Sequence, residues 1–377
     1  MIVKSPVPNY QLTDYLYNKS SQRLIPLSGT FELSPVCNFD CRMCYVRKTP
    51  REVRESPRPI MTLEDWRTVA REALNAGTLF LLLTGGEPLL WPHFWTLYEE
   101  LVDMGFLVAI NTNGSMIDEA AVERFRRRPP RRINITLYGA GDESYRRLCG
   151  VDGMFSKVDR GIRMLTEAGI LVKLNCSLTP QNAADLEAIT AYARDRQLLL
   201  SVATYMFPPI RRDPNRIGEN ERFTPEETAR YRLRSYELQC SREEYLTYLQ
   251  HLRDGYVDPP GLEEGCVDPV DGKIRCRAGK ATFWITWDGW MTACGMMPEP
   301  RVELRGRPFA ESWGELTRAS AECRLSGVCD KCPNVRVCHP CAAMAVAETG
   351  SYSGIPRFLC EVTQECRRIA AQTLAGQ

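Results

Sequence analysis

An α/β fold, built as a partial (β/α)6 barrel followed by a small cysteine-rich domain with a β-hairpin and helices, is what three features of this sequence predict. Short apolar runs alternate with helical periodicities from about residue 30 to about residue 205, the pattern of repeated strand-helix units. The alternation then stops in a polar, charged stretch, residues 211–222, where a domain boundary belongs. Of sixteen cysteines, three crowd one loop near residue 40 and ten fall between positions 266 and 366. A chain of 377 residues also exceeds the usual single core. The expected organisation is an extension over 1–29, a barrel over 30–213, bridging helices over 214–262 and the cysteine-rich domain over 263–377.

In chain order, residues 1–29 are polar, with a short helix expected over 10–18. The alternation Thr30-Phe31-Glu32-Leu33 reads as a first strand leading into the cysteine loop. Residues 47–59, with Pro50, Pro57 and Pro59, read as an exposed connection. Thr62 can cap a helix, with Asp65 three residues on and Trp66, Val69, Ala70 and Leu74 along one face. Strands follow over 79–84, 107–111, 133–137, 170–177 and 198–205, separated by helices over 94–104, 119–127, 158–168 and 184–196. The strands are nearly all apolar, as in a parallel sheet covered on both faces. Pro225 after Thr224 opens a helix, and a second runs over 242–252. In a barrel of this kind chemistry gathers at the carboxyl ends of the strands, and the cysteine loop lies at one.

Lys and Arg number 48 against 47 Asp and Glu, so charge gives no footprint for nucleic acid or an anionic membrane. The arginine runs beside Pro129-Pro130 coat a helix end and a turn. The longest apolar run, 79–83, is too short to span a bilayer, and the first residues lack the pattern of a signal peptide. Sixteen cysteines in such a chain argue for metal rather than disulfides, and a cytoplasmic location is expected.

Cys37, Cys41 and Cys44, in Cys-x3-Cys-x2-Cys spacing, can wrap so that three sulfurs face one point, which suits thiolate ligation of an iron-sulfur cluster. A structural zinc loop and plain buried thiols compete for the triplet alone. The loop resembles that of the radical S-adenosylmethionine (SAM) superfamily. That resemblance implies a [4Fe-4S] cluster with one open iron, which chelates SAM and splits it reductively to a 5′-deoxyadenosyl radical. Thr84-Gly85-Gly86-Glu87-Pro88, directly after a strand, is similar to the family's Gly-Gly-Glu-Pro element, with paired glycines that let backbone approach a ligand. Asn111-Thr112-Asn113-Gly114 resembles its Thr-Asn-Gly segment. By the same resemblance Met43, Gly85, Gly86, Glu87, Asn113, Thr136, Arg146, Asn175 and Ser177 are the candidate cofactor-binding residues. Relatives often carry an arginine in an Ile-Arg-Gly-like triplet; here Leu148-Cys149-Gly150 stands there, and Arg146 or Arg147 is the substitute.

The carboxyl-terminal spacing runs Cys276-x12-Gly289-x4-Cys294, then Cys329-x2-Cys332-x5-Cys338-x2-Cys341, then Cys360. It resembles the SPASM extension of radical SAM enzymes, although the last internal gap is two residues where the family pattern usually has three. The resemblance implies two auxiliary [4Fe-4S] clusters, one on Cys266, Cys276, Cys294 and Cys341, the other on Cys329, Cys332, Cys338 and Cys360. Cys323 competes with Cys266. Cys149, Cys176, Cys240 and Cys366 read as buried inert thiols, and His339 as a neighbour of the clusters.

The function so implied is a radical SAM/SPASM oxidoreductase that abstracts hydrogen from a peptide and leaves a cross-link or an oxidised residue. Its expected partners are a peptide, with or without a separate recognition protein, and an electron donor such as flavodoxin or ferredoxin, with no nucleic acid and no membrane. Tyr205, Arg211 and Arg212 are placed to hold the peptide, and no catalytic base is assigned. Two alternatives remain. Sulfatase maturation is one, although that subfamily typically has an Asp after the cysteine matched by Cys294, where Gly295 stands. A non-catalytic iron-sulfur electron carrier is the other.

Overall fold

In the computed structural model residues 8–255 and 272–376 are described, so Cys266 lies outside the described residues. Six parallel strands appear where the alternation places them: β1 Ser28–Glu32, β2 Phe80–Thr84, β3 Leu107–Thr112, β4 Arg132–Thr136, β5 Val172–Ser177 and β6 Leu199–Ala203. Three more follow in the carboxyl-terminal region: β7 Thr282–Ile285, β8 Trp290–Thr292 and β9 Arg301–Glu303. All nine form one sheet in the order β6-β5-β4-β3-β2-β1-β7-β8-β9. The expected hairpin is therefore not a detached unit: β7 pairs in parallel with β1, with Thr30 opposite Trp284 and Phe31 opposite Ile285. Only β8 runs against the others, antiparallel to both β7 and β9.

The register separates the two faces of this sheet. Phe31, Leu81, Leu83, Val108, Ile110, Ile133, Ile135, Val172 and Leu174 share one face and are buried. Helices pack there; Phe31, for example, stacks on Trp66 of the helix Leu63–Asn75 with ring centres 4.8 Å apart. Burying each such side chain contributes about 1.5–3 kcal/mol. Glu32, Asn111, Asn134, Thr136, Lys173 and Asn175 fall on the opposite face. The apolar covering expected on both faces of nearly all-apolar strands is thus found on one: apolar side chains lie under the helices and these polar residues on the other side.

Local chemistry accounts for the helices. Thr62 and Asp65 form a reciprocal capping box, as do Thr224 with Glu227 and Ser241 with Glu244. The same device, Thr49 with Glu52, starts a short helix, Pro50–Arg54, inside the stretch expected to be an irregular connection. The helix expected over 158–168 begins earlier, as Met154–Glu167, and a further helix, Asp142–Cys149, precedes it. The bridging pair, Pro225–Gln239 and Arg242–Asp254, buries Ala229, Leu233 and Leu249 against Val362 and Cys366 of the last helix, Arg357–Ala375. Cys366 is accordingly a packing thiol. Among the described residues no helix is long and apolar enough to cross a membrane.

Candidate active site

The cysteine loop leaves β1 at its carboxyl end and is braced by its own hydrogen bonds. Cys44 N–H donates to the Cys41 carbonyl at 3.0 Å, and Lys48 N–H to that of Pro35 at 3.0 Å. Two more amides point at sulfur: Phe39 N lies 3.4 Å from Cys37 Sγ and Arg47 N 3.3 Å from Cys44 Sγ. Burial pushes the Cys37 thiol up to about 12 and raises Cys44 as well, and both feel the neighbouring thiols of the loop. Cys37 and Cys44 therefore hold their protons until a metal draws them off, as in metal binding to thiols, whereas the neighbouring Cys149 thiol lowers Cys41.

The turn after β2 clasps this loop from below. Gly86 N–H donates to the Ser34 carbonyl at 2.7 Å and Glu87 N–H to that of Val36 at 2.9 Å. A Cβ on Gly86 would sit 2.7 Å from the Pro35 carbonyl oxygen, and one on Gly85, at φ 153°, would strike that of Ser34. The paired glycines are thus also required for contact of chain with chain. The Glu87 carboxyl is fully buried and accepts from Thr112 Oγ1 (2.8 Å), Asn113 N (2.8 Å) and Leu89 N (3.1 Å). Burial raises its pKa to about 7 against those hydrogen bonds. Asn113 Nδ2 donates to Asn38 Oδ1 at 2.8 Å and lies 3.8 Å from Cys37 Sγ.

Gly85, Gly86, Glu87 and Asn113 thereby join the cysteine loop in one assembly, with Met43 buried behind it. Thr136 faces Asn175 across β4 and β5, and Ser177 follows on the same side of β5. Arg146 is not brought to the assembly: its side chain is exposed and paired with Asp152. Arg147 pairs with Glu143 on the same helix.

The carboxyl-terminal thiols sort into two groups by mutual proximity. Cys294, pushed up to about 11 by burial, senses Cys341 and Cys276. Cys338 senses Cys360, Cys329 and Cys332. Cys323 turns its thiol to the Ala319 carbonyl, 3.8 Å away. Among the described residues no three His, Cys, Asp or Glu side chains converge on one ion. The soft donor set of these thiols suits iron-sulfur chemistry.

The family model for the radical SAM superfamily matches residues 31–193. A probable GTP 3′,8-cyclase of Sulfurisphaera tokodaii is 30% identical over 304 residues, 78% of this chain and 90% of the relative. The chain belongs to the radical SAM superfamily. An AdoMet-dependent heme synthase of Methanosarcina barkeri is 24% identical over 335 residues, 85% of this chain and 93% of that protein. Among solved structures, native anSMEcpe with bound AdoMet and Cp18Cys peptide shares the fold with a TM-score of 0.68 at 18% identity, over 93% of this chain and 98% of the other. Streptococcus suis SuiB bound to precursor peptide SuiA does so with a TM-score of 0.64 at 16% identity, over 92% and 79%. Radical SAM membership implies a [4Fe-4S] cluster and SAM.

Between the radical SAM loop and the carboxyl-terminal hairpin lies a node that the sequence did not disclose. Glu32, fully buried at the end of β1, accepts from both terminal nitrogens of Arg211 (3.0 and 2.9 Å) and from Trp284 Nε1 (2.9 Å). Arg211 also donates to the Gly295 carbonyl at 2.8 Å. Tyr45, its hydroxyl pKa raised by burial, senses Glu32, Arg211, Cys44 and Cys294 together, so it stands between two thiol groups. Arg211 is therefore committed to internal partners, and so is Tyr205, whose hydroxyl donates to Glu348 at 2.5 Å. Neither offers itself to a peptide; Arg212 is exposed. The one visible signal was an acid in a strand beside the cysteines, but its partner is 179 positions away.

Proposed function

We propose that this chain is a peptide-modifying radical SAM oxidoreductase with two auxiliary iron-sulfur clusters, acting in the cytoplasm with an electron donor of the flavodoxin or ferredoxin kind. The observation that carries the reading is the pairing of a three-thiol loop, one sulfur short of closing a cubane, with two further thiol groups in the same chain. When bound, the loop's cluster and SAM supply a 5′-deoxyadenosyl radical for hydrogen abstraction. On this reading Cys37, Cys41 and Cys44 hold that cluster, and Gly85, Gly86, Glu87 and Asn113 shape the cradle for SAM, with Thr136, Asn175 and Ser177 above the polar face. Cys276, Cys294 and Cys341, with Cys266, hold one auxiliary cluster; Cys329, Cys332, Cys338 and Cys360 hold the other. Making a cross-link or a double bond after hydrogen abstraction releases one electron, for which a cluster held by those cysteines would be the acceptor. The peptides bound to anSMEcpe and SuiB support a peptide substrate on the shared fold.

Sulfatase-type maturation is disfavoured at its base. A Cβ at Gly295 would meet the Trp284 ring at 2.7 Å, so a carboxylate side chain at position 295 would have to displace that half-buried tryptophan. Heme synthesis is a second reading, favoured by the length of the match to the Methanosarcina protein. The test is anaerobic reconstitution followed by incubation with SAM, a reductant and the short peptides encoded beside the gene. The expected result is 5′-deoxyadenosine together with a peptide that has lost hydrogen. Turnover of a heme precursor with every peptide unchanged would replace this reading with the second, and no SAM cleavage by fully loaded protein would favour the electron carrier.

A further inference from the structure

The polar face of the sheet carries more than the residues assigned to SAM. Register sets Asn111 opposite Asn134, Asn134 opposite Lys173 and Lys173 opposite Leu199, one row across β3, β4, β5 and β6. Thr136, Asn175 and Ser201 form the next row toward the carboxyl ends of the strands. Two residues rise about 6.6 Å along a parallel strand, so the first row lies that far beneath the second. Arg132 precedes Asn134 by two residues on the same face, diagonal to Lys173 on the neighbouring strand, a spacing that long side chains bridge.

This part of the face holds positive charge without a counter-ion. Lys173 and Arg132 are both half-buried. Other shielded arginines, Arg58, Arg67, Arg211, Arg222 and Arg275, each meet a carboxylate; among the described residues these two cations meet none. Burial and then the charge of Arg132 lower the Lys173 ammonium, and burial and then Arg131 lower Arg132. Polar atoms beside them are open as well. Asn134, only 7% exposed, donates from Nδ2 to Asn111 Oδ1 at 2.7 Å and leaves its buried Oδ1 without a partner, and Arg132 Nε is likewise buried and unpartnered. Such groups cost stability unless something pairs with them. Access runs over β6, the edge strand of the sheet, where Leu199, Ser201 and Ala203, opposite Lys173, Asn175 and Ser177, are exposed.

We propose that Lys173 and Arg132, with Asn134, form a substrate subsite that takes a carboxylate, supplied by an acidic residue of the peptide. An acidic residue offers both things this place lacks: an anion for the two cations and an amide N–H for Asn134 Oδ1. Anchored there, the substrate has its depth fixed, and with it the carbon that lies level with Thr136 and Asn175. The source of the carboxylate rests on the peptide reading above; the subsite itself does not.

The experiment measures binding to the anaerobically reconstituted full-length protein with SAM present, by fluorescence anisotropy. The probes are two labelled pools of random pentapeptides, one with a single Glu and the other with Gln in its place. The Glu pool is expected to bind about tenfold more tightly, the worth of one charge-assisted pair. Lys173→Met and Arg132→Met should each erase most of that preference, and Lys173→Arg should keep it. Equal affinity of the parent for the two pools overturns the proposal, as does a preference that survives in both Met variants. Thermal melting separates a binding lysine from a structural one: Lys173→Met, relieved of a neighbouring cation, should melt no lower than the parent, and a lower melting point overturns the assignment. Glutarate as a competitor tests the source. It is expected to displace the Glu pool only at far higher concentration; glutarate that binds as tightly, and is lost in the same variants, keeps the carboxylate subsite and removes the peptide reading instead.

Discussion

The cysteine loop after β1 and the carboxyl-terminal cysteines carry the same side chain in two different settings. Around Cys37, Cys41 and Cys44 the protein supplies its own scaffold: amides on sulfur, a glycine clasp beneath, and a helix end fastened across Cys41. Around Cys329, Cys332 and Cys338 the scaffold is slight, two helices of four residues, Gly327–Asp330 and Val335–Cys338, each too short to be stable alone. The first region carries its scaffold in its own backbone hydrogen bonds and holds three thiols. The second has a fourth thiol, Cys360, and needs something to bind them together. On the proposed reading, a braced loop with three ligands is a place for chemistry, whereas a four-thiol set on weak supports is a staple.

The largest expected effect comes from breaking the incomplete set. Cys37→Ala should reduce SAM cleavage to background while the carboxyl-terminal groups keep their iron, measured by 5′-deoxyadenosine and by iron and sulfide content. Iron loss throughout the molecule would erase the distinction between the regions. Next, Gly86→Ala, which sets a methyl against the Pro35 and Val36 carbonyls, should abolish cleavage and lower stability by about 3 kcal/mol or more, as backbone clashes in tight sites do. Denaturant midpoints and cleavage assays check both.

The contrast sharpens if iron is removed by chelation. Hydrogen exchange should then rise over 327–341, while amides bonded within the loop, such as Cys44 N and Gly86 N, stay protected. Equal deprotection of both regions would mean that the loop also depends on its ligand. The smallest effect concerns Glu87. Its folded pKa of about 7 lies above the ordinary 4.5, so its contribution is full below about 4.5 and is lost as pH rises through about 7. The loss is on the order of 3 kcal/mol, and Glu87→Gln should flatten the dependence in urea midpoints taken from pH 4.5 to 7.5. A parent protein equally stable across that window would show that the carboxyl ionises normally.

What the sequence disclosed was local. Strand alternation, the Thr62–Asp65 cap and cysteine spacing are written within a few residues of one another, and each appears where expected. The grouping of Cys338 with Cys329, Cys332 and Cys360 was not local: it was expected only through the family resemblance of a long spacing pattern. What escaped was carried by pairs far apart in the chain. Glu32 gives no hint of Arg211, and Cys149 none of Cys41, until the sheet and the helix Asp142–Cys149 bring them together. The helices Phe309–Ala321 and Arg357–Ala375 were expected only as unplaced helices of the cysteine-rich domain, although each buries one apolar face.

The parallel pairing of β1 with β7 has a consequence for biosynthesis. Roughly 250 residues separate the partners, so at roughly 5–20 residues per second the ribosome leaves one side of the first strand bare for roughly 10–50 s. An unpaired strand edge recruits whatever strand it meets. Truncated translation products ending before Thr282 would therefore be sticky, and a cell making this protein must shelter that edge until the hairpin emerges to cover it.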